Sequence, residues 1–280
     1  MNIYTKRGVF QRIESTNGDT AIVVDVSRSG REYPELFRSM VPFTALHDNV
    51  SMYVDEIWAA TPTFGGTMLY ATFPNFWIDV NRHELDIDAN LIDGHWPVPL
   101  EPTRSKTGLG LIKSKSRHGE AVHERKLTVQ ELKDRLDKYY HPYHRELKRL
   151  LDEKRSIFGT VYHLSCHCMS ATGAATHVDA GKVRADFCLS NRMGETCSEE
   201  LIQSVRELIE SGGFTCTIND PYLGGEIVRR SGNPSNGIES LQVEINKKKF
   251  MDVESFEKNE GFTQIQAMAS KILKHLSEKK

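Results

Sequence analysis

Two periods of hydrophobic and polar positions alternate along the chain. Residues 21–26 (AIVVDV) are a short, β-branched apolar run that stops at the turn-forming residues 27–30, as a buried strand entering a tight turn does. Val50, Val54, Ile57 and Trp58 follow helical spacing, and that pattern ends before Pro62 and Gly65–Gly66. Residues 67–73 and 76–80 read as two strands split by Pro74. Residues 86–121 show no sustained period and many prolines, glycines and charges, which predicts a long excursion of the functional or mobile kind. Thr128 with Glu131 forms a capping box. The helix it opens runs through Leu132, Leu136, Tyr139 and Tyr140, breaks at Pro142 and resumes through Leu147, Leu150 and Leu151. A strand over 158–166 ends in His167, and further strands fall at 183–189, 214–218 and 241–245. A helix over 198–209 closes on Gly212–Gly213, and a last helix spans about 262–276.

This alternation predicts an α/β fold: a mixed, mostly parallel sheet flanked by helices on both faces. In such sheets the site lies beyond the carboxyl ends of the strands. Residues 27–30, Asn81–Arg82, His167 and 244–246 all fall at or just beyond strand ends, which makes them candidates for one cleft. The length of 280 residues suits residues 1–280 as a single domain with the excursion at about 86–121.

Composition narrows the partners. A formal net charge of −2, with 26% charged residues, provides no field to draw in nucleic acid or an anionic membrane. The first ten residues lack the apolar stretch of a secretory leader, and no apolar run reaches a membrane span. Five cysteines without a CxxC pair suit reduced thiols, so a cytoplasmic protein is expected. There is no Walker or GxGxxG signature for a nucleotide and no GxSxG elbow for a serine hydrolase. Cys166 and His167 are neighbours on a strand and point to opposite faces, which argues against a thiol–imidazole pair.

Four places carry candidate chemistry. His163, Ser165 and His167 share one strand face, and His167 reads either as a structural histidine or as a metal ligand. Asn81–Arg82 offers a planar guanidinium fork for a carboxylate, the alternative being a surface ion pair of Arg82 with Glu84 or Asp86. Glu244 lies in the otherwise apolar run LQVEINK, where a carboxylate is either a general base with a raised pKa or an outward-facing residue. The loop 219–225 (NDPYLGG) is either a plain turn or one whose glycines let backbone donors approach a ligand.

Taken in order, the segments VVDVSRSGREYP, YVDEIWAA, ATFPNFWIDVNRHELDID, TGLGLI, YYHPYHRELKRLL, SCHCMS, RADFCLSNRMGETC, NDPYLGG and LQVEINKKKFMD resemble the N-formylglutamate amidohydrolases. The resemblance implies a fold like that of zinc carboxypeptidases and aspartoacylases, with a metal at the strand ends. It also implies a small-molecule substrate, an N-acyl (formyl) acidic amino acid, whose linear amide is hydrolysed by metal-activated water in amino-acid catabolism. In that scheme His167 and Asp55 are zinc ligands, with Glu56 and Glu32 as alternatives to Asp55. Glu244 is the base. Asn81, Arg82, Tyr222 and Gly225 bind substrate, and Arg184 and Arg192 steady the substrate or the developing oxyanion, with Arg192 in the catalytic set.

The chain departs from that pattern where it matters most. The family's first metal ligand is a histidine in a Pro-His-Ser-Gly turn, and here the turn reads Ser27-Arg28-Ser29-Gly30. An arginine has no lone pair to give a metal and keeps its charge. Ser165 stands where aspartate is usual, and Ser190–Asn191 replaces a Gly-Asp pair. Three expectations follow: a metal amidohydrolase with a ligand recruited from His47, His163 or His177; a metal-free binding protein for an acidic amino-acid derivative; or an enzyme of altered chemistry or acyl preference.

Overall fold

A computed structural model describes residues 1–16, 18–174, 177 and 179–279. Among these, ten strands and seven α-helices are defined. The first strands are β1 (Asn2–Lys6), β2 (Phe10–Glu14), β3 (Ile22–Val26) and β4 (Thr67–Ala71). They are followed by β5 (Ile92–Asp93), β6 (Leu127–Thr128), β7 (Val161–Met169), β8 (Phe187–Ser190), β9 (Cys216–Ile218) and β10 (Ile238–Asn246). The helices are α1 (Phe43–His47), α2 (Val54–Ile57), α3 (Val129–Arg135), α4 (His141–Phe158), α5 (Glu199–Ser211), α6 (Glu226–Ser231) and α7 (Phe262–Ser277). Eight strands form the main sheet in the order β1-β2-β4-β3-β7-β10-β8-β9, and β5 pairs with β6 separately. The central strands β4, β3, β7 and β10 are parallel, whereas β1, β2 and β8 run antiparallel to neighbours. The expected mixed, mostly parallel sheet is what forms.

Register decides where polar side chains go. β10 pairs with β7 in parallel so that Ser240, Gln242 and Glu244 stand beside His163, Ser165 and His167. β3 adds Asp25 opposite Ser165. Because strand side chains alternate, all seven share one face of the sheet. The intervening Leu164, Cys166, Leu241, Val243 and Ile245 face the other way, into a core closed by Ile57, Val205 and Ile272 of α2, α5 and α7. Cys166 is therefore buried among apolar side chains, on the opposite side from His167. The polar face is roofed by α4 and by the chain after β4, through Tyr143, Phe73, Trp77 and Val80.

Several local expectations change. Residues 76–80 form turns rather than a strand: Trp77 N–H bonds Pro74 O and Asp79 N–H bonds Leu111 O, so this apolar run is buried without a ladder partner. Val183 is exposed and makes only an isolated bridge with Thr172, and the sheet ladder starts at Phe187. The helical spacing from Val50 yields just the four-residue α2 after Tyr53 at φ 63°. Pro142 does not break its helix. It is the second residue of α4, and a π-turn over Leu136–Tyr140 precedes it, giving the backbone room for a proline that lacks an N–H. The terminal hairpin β1–β2 carries no clear signal in the sequence. The excursion at 86–121 is well packed, with Leu91, Trp96, Leu111 and Ile112 buried. No helix of the described residues is long and apolar enough to cross a membrane.

Candidate active site

β3 ends at Val26, and the backbone turns sharply so that Gly30 lies against the Thr72–Phe73 backbone, where any Cβ would overlap it. That close approach puts Arg28 above the carboxyl edge of the sheet. Its Nε donates to Asp79 Oδ1 at 3.2 Å, and its second guanidinium nitrogen pairs with Oδ2. Asp79 is fully buried and also accepts from Lys113 Nζ at 2.9 Å and from the Asn81 backbone N–H at 3.1 Å. The surrounding Arg28, Lys113 and Arg82 hold its carboxyl well below the ordinary range against the opposing effect of burial. Lys113, buried and also bonded to Asn75 O at 3.1 Å, is driven down to about 7 by desolvation despite Asp79.

Arg82 spends Nε on Leu109 O and one terminal nitrogen on Asn81 O, both at 3.0 Å. Neither Glu84 nor Asp86 pairs with it; Asp86 is taken up by Thr103, Arg104 and Ser105. Burial, then Arg28, lower its pKa to about 10. Asn81 ties three elements together: its Nδ2 lies 3.1 Å from His167 Nε2 and its Oδ1 accepts from Ile227 N–H at 2.9 Å. Gly225 lies against that amide so closely that a Cβ would overlap it, and its N–H donates to Gln242 Oε1 at 2.7 Å. Gln242 in turn donates to Glu244 Oε1 at 3.1 Å. Glu244 is thus not an outward-facing strand residue. Burial raises its carboxyl to about 7, opposed by Arg28, Arg184, Arg82 and Lys247.

Arg28, Arg82, Tyr222 and Glu244 line one cavity. An adjoining one shares these four and adds Asn81, Arg192 and Gly225. The sequence reading missed most of the cleft's cations: Arg104, Lys113, Arg117 and Lys247 also line it, the first three supplied by the excursion. Dense charge in a segment with proline and glycine was the only signal for them. Arg184 sits behind the wall. It pairs with Asp179 at 2.6 and 2.9 Å, lies over the Tyr222 ring, and donates to His177 Nδ1 at 2.7 Å. His177 lines both cavities; burial, then Arg184, lower its pKa to about 4, so it is neutral. With Nδ1 accepting, the proton resides on Nε2. Arg192, at φ 53°, is turned toward Glu195 Oε2 at 3.1 Å and Gly224 O at 3.3 Å on the outer rim.

The implied zinc site can be tested on its donors. His167 is fully buried; its Nε2 contacts Asn81 and, at 3.2 Å, Ser165 Oγ, and burial followed by Arg28 lowers its pKa to about 4. Asp55 lines neither cavity and is set against Arg31 at 3.5 Å; Glu56 pairs with Lys258. His163 is committed to Ser240 Oγ at 2.7 Å, and His47 packs edge-on against Phe43. Among the described residues no group of three or more His, Cys, Asp or Glu is placed to hold a metal ion. The residues present do not fit the zinc that the resemblance implies.

Fold and site together define an α/β protein with a cationic cleft and one raised-pKa carboxyl at the carboxyl edge of its parallel strands. The N-formylglutamate amidohydrolase family model matches residues 20–251, and the chain belongs to that family. It is 34% identical to an N-formylglutamate amidohydrolase from Ralstonia eutropha JMP134 of solved structure, with TM-score 0.92 over 97% of this chain and 98% of that one. It is also 26% identical over 203 residues to an N-formylglutamate deformylase of Pseudomonas putida, covering 71% of this chain and 70% of the relative. A deformylase of Pseudomonas aeruginosa is 20% identical over 239 residues, 84% of each chain.

Proposed function

We propose that the cleft binds an N-formyl acidic amino acid, N-formylglutamate in the first instance, and hydrolyses its amide with Glu244 as the base. The observation that carries this reading is Glu244 itself, a buried carboxyl raised to about 7 in a cleft whose lining includes six cations, Arg28, Arg82, Arg104, Lys113, Arg117 and Lys247. A base whose pKa lies near the working pH is deprotonated often enough to act and basic enough to take a proton from water. Glu244 removes that proton as water attacks the formyl carbon, and it then gives a proton to the departing amine; formate and glutamate leave. The remaining terminal nitrogen of Arg82 holds a substrate carboxylate. Neutral His177, kept as an Nε2–H donor by Arg184, offers its hydrogen to the carbonyl oxygen as negative charge develops there. Family membership and the deformylase relatives support the same substrate.

A second reading, binding without turnover, is favoured by Arg28, which stands on the turn where the family's first metal ligand is expected. Formate release from N-formylglutamate at pH 8, measured beside calorimetric binding, separates the two. Release by the unaltered protein and its loss in Glu244→Gln with binding retained support hydrolysis. Binding without formate from the unaltered protein supports the second reading.

A further inference from the structure

Three cations converge on one carboxylate beneath the cleft. Arg28, Lys113 and Arg82 all act on Asp79, so this buried cluster holds more cations than carboxylates, and Glu244 is the next carboxyl to act on Arg28 and acts on Arg82 too. The geometry of the forks shows where the surplus faces. Arg28 turns one edge, Nε and one terminal nitrogen, to Asp79, and Arg82 turns Nε and one terminal nitrogen to backbone carbonyls. Each guanidinium has a further nitrogen, and both side chains line the two cavities of the cleft. Lys113, which bridges Asp79 and Asn75 O, lines the inner one. Burial lowers the pKa values of Lys113 and Arg82, and Arg28 adds to the lowering of both.

We infer that Arg28, braced by Asp79, forms with Arg82 and Lys113 an anion socket that receives one carboxylate of the ligand at the place where a metal cation would otherwise sit. This rests on the proposed acidic substrate but not on its hydrolysis. An oxyanion there accepts charge-assisted hydrogen bonds from two planar forks in a largely desolvated site, the arrangement in which such contacts are strongest. A divalent cation there meets Arg28 head-on; His167 is already bonded through Nε2, and the Nδ1 of His177, which lines the same cavities, is taken by Arg184. The socket also couples binding to protons: an anion beside Lys113 favours its charged form, so occupancy near pH 7 draws a proton from solution.

Calorimetry on the dialysed full chain tests this with three probes: sulfate, N-formylglutamate and zinc chloride. Sulfate and N-formylglutamate compete for the same site, and the heats measured in buffers of different ionisation enthalpy report proton uptake at pH 7. Losing the Arg28 fork weakens both by about 10–100-fold, the range for a charge-assisted hydrogen bond. Arg28→Gln is made together with Asp79→Asn so that no buried carboxylate is stranded, and an unchanged circular-dichroism spectrum establishes folding. Lys113→Met is the second variant and reduces the proton uptake, what remains being that of Glu244, whose carboxyl also lies at about 7 in the same cavity. Zinc binds the unaltered protein no more tightly than it binds Lys113→Met. The inference is overturned by tightly held zinc, about one per chain as in a catalytic zinc site, surviving dialysis. It is equally overturned by anion affinities that the folded double variant retains. Formate release plays no part in these readouts, so failure of the hydrolytic reading leaves them intact.

Discussion

Asp79→Asn is the substitution whose consequence the structure specifies most fully. Asparagine keeps the shape but not the charge of a fully buried group that holds Arg28, Lys113 and the Asn81 backbone N–H. Removing one partner of a buried ion pair costs about 3–5 kcal/mol, because the stranded charge has lost its water. Lys113 softens the loss: already at about 7, it falls further once Asp79 stops supporting it and becomes a neutral amine. Arg28 has no such escape, so the cost settles near the lower bound, about 3 kcal/mol. For a chain of 280 residues that lowers Tm by roughly 5 °C. The pH dependence has a definite sign. The folded pKa of Asp79 lies well below 3.8, so its stabilisation is present above the unfolded value and is lost only as pH falls through the depressed one. Below about pH 7 the native protein holds a proton on Lys113 that the variant does not, so the variant's deficit is larger at pH 6 than at pH 9. Urea unfolding followed by circular dichroism at both pH values measures this. A variant within about 1 kcal/mol of the parent at pH 7, a typical surface-substitution effect, or a deficit that grows with pH, refutes the reasoning.

Other outcomes follow from the same contacts. kcat/KM for N-formylglutamate should rise through about pH 7 as Glu244 loses its proton, and Glu244→Gln should cost about 10²–10⁴-fold in kcat; a flat profile between pH 6 and 8 counts against the base assignment. Gly225→Ala drives a methyl group into the Asn81 amide and should raise KM more than it lowers Tm, which paired kinetics and calorimetry would reveal. Gly30→Ala meets rigid backbone instead, and a loss of about 1–3 kcal/mol or more is expected in chemical unfolding. Arg184→Met frees His177 from the contact that fixes its tautomer, so imidazole nitrogen NMR should show its pKa moving up from about 4 toward the ordinary value.

Much of the fold was legible because its signals are local. The capping box at Thr128–Glu131 forms, Ser198 caps α5, and Gly212 closes it. The alternation of His163, Ser165 and His167 with apolar residues put those three on one face before any partner strand was known. Local signals failed where burial came without regular pairing. Residues 76–80 are as apolar as a strand, yet they are buried by turns, and nothing local distinguishes the two. Pro142 reads as a break, yet it follows a π-turn whose last residue, Tyr140, is buried with Tyr143 in the core on that face of the sheet.

The sequence by itself determined the α/β alternation, the polar stripes of β7 and β10, and the presence of arginine in the turn after β3. Each is a property of neighbouring residues, readable from spacing and side-chain chemistry. Only the tertiary structure decided that Arg28 meets Asp79 across 51 positions, that Lys113 joins them, and that Glu244 is enclosed. Charge is the reason: what an ionisable group does depends on solvent and on partners brought from distant segments, and neither is encoded in its own stretch of chain.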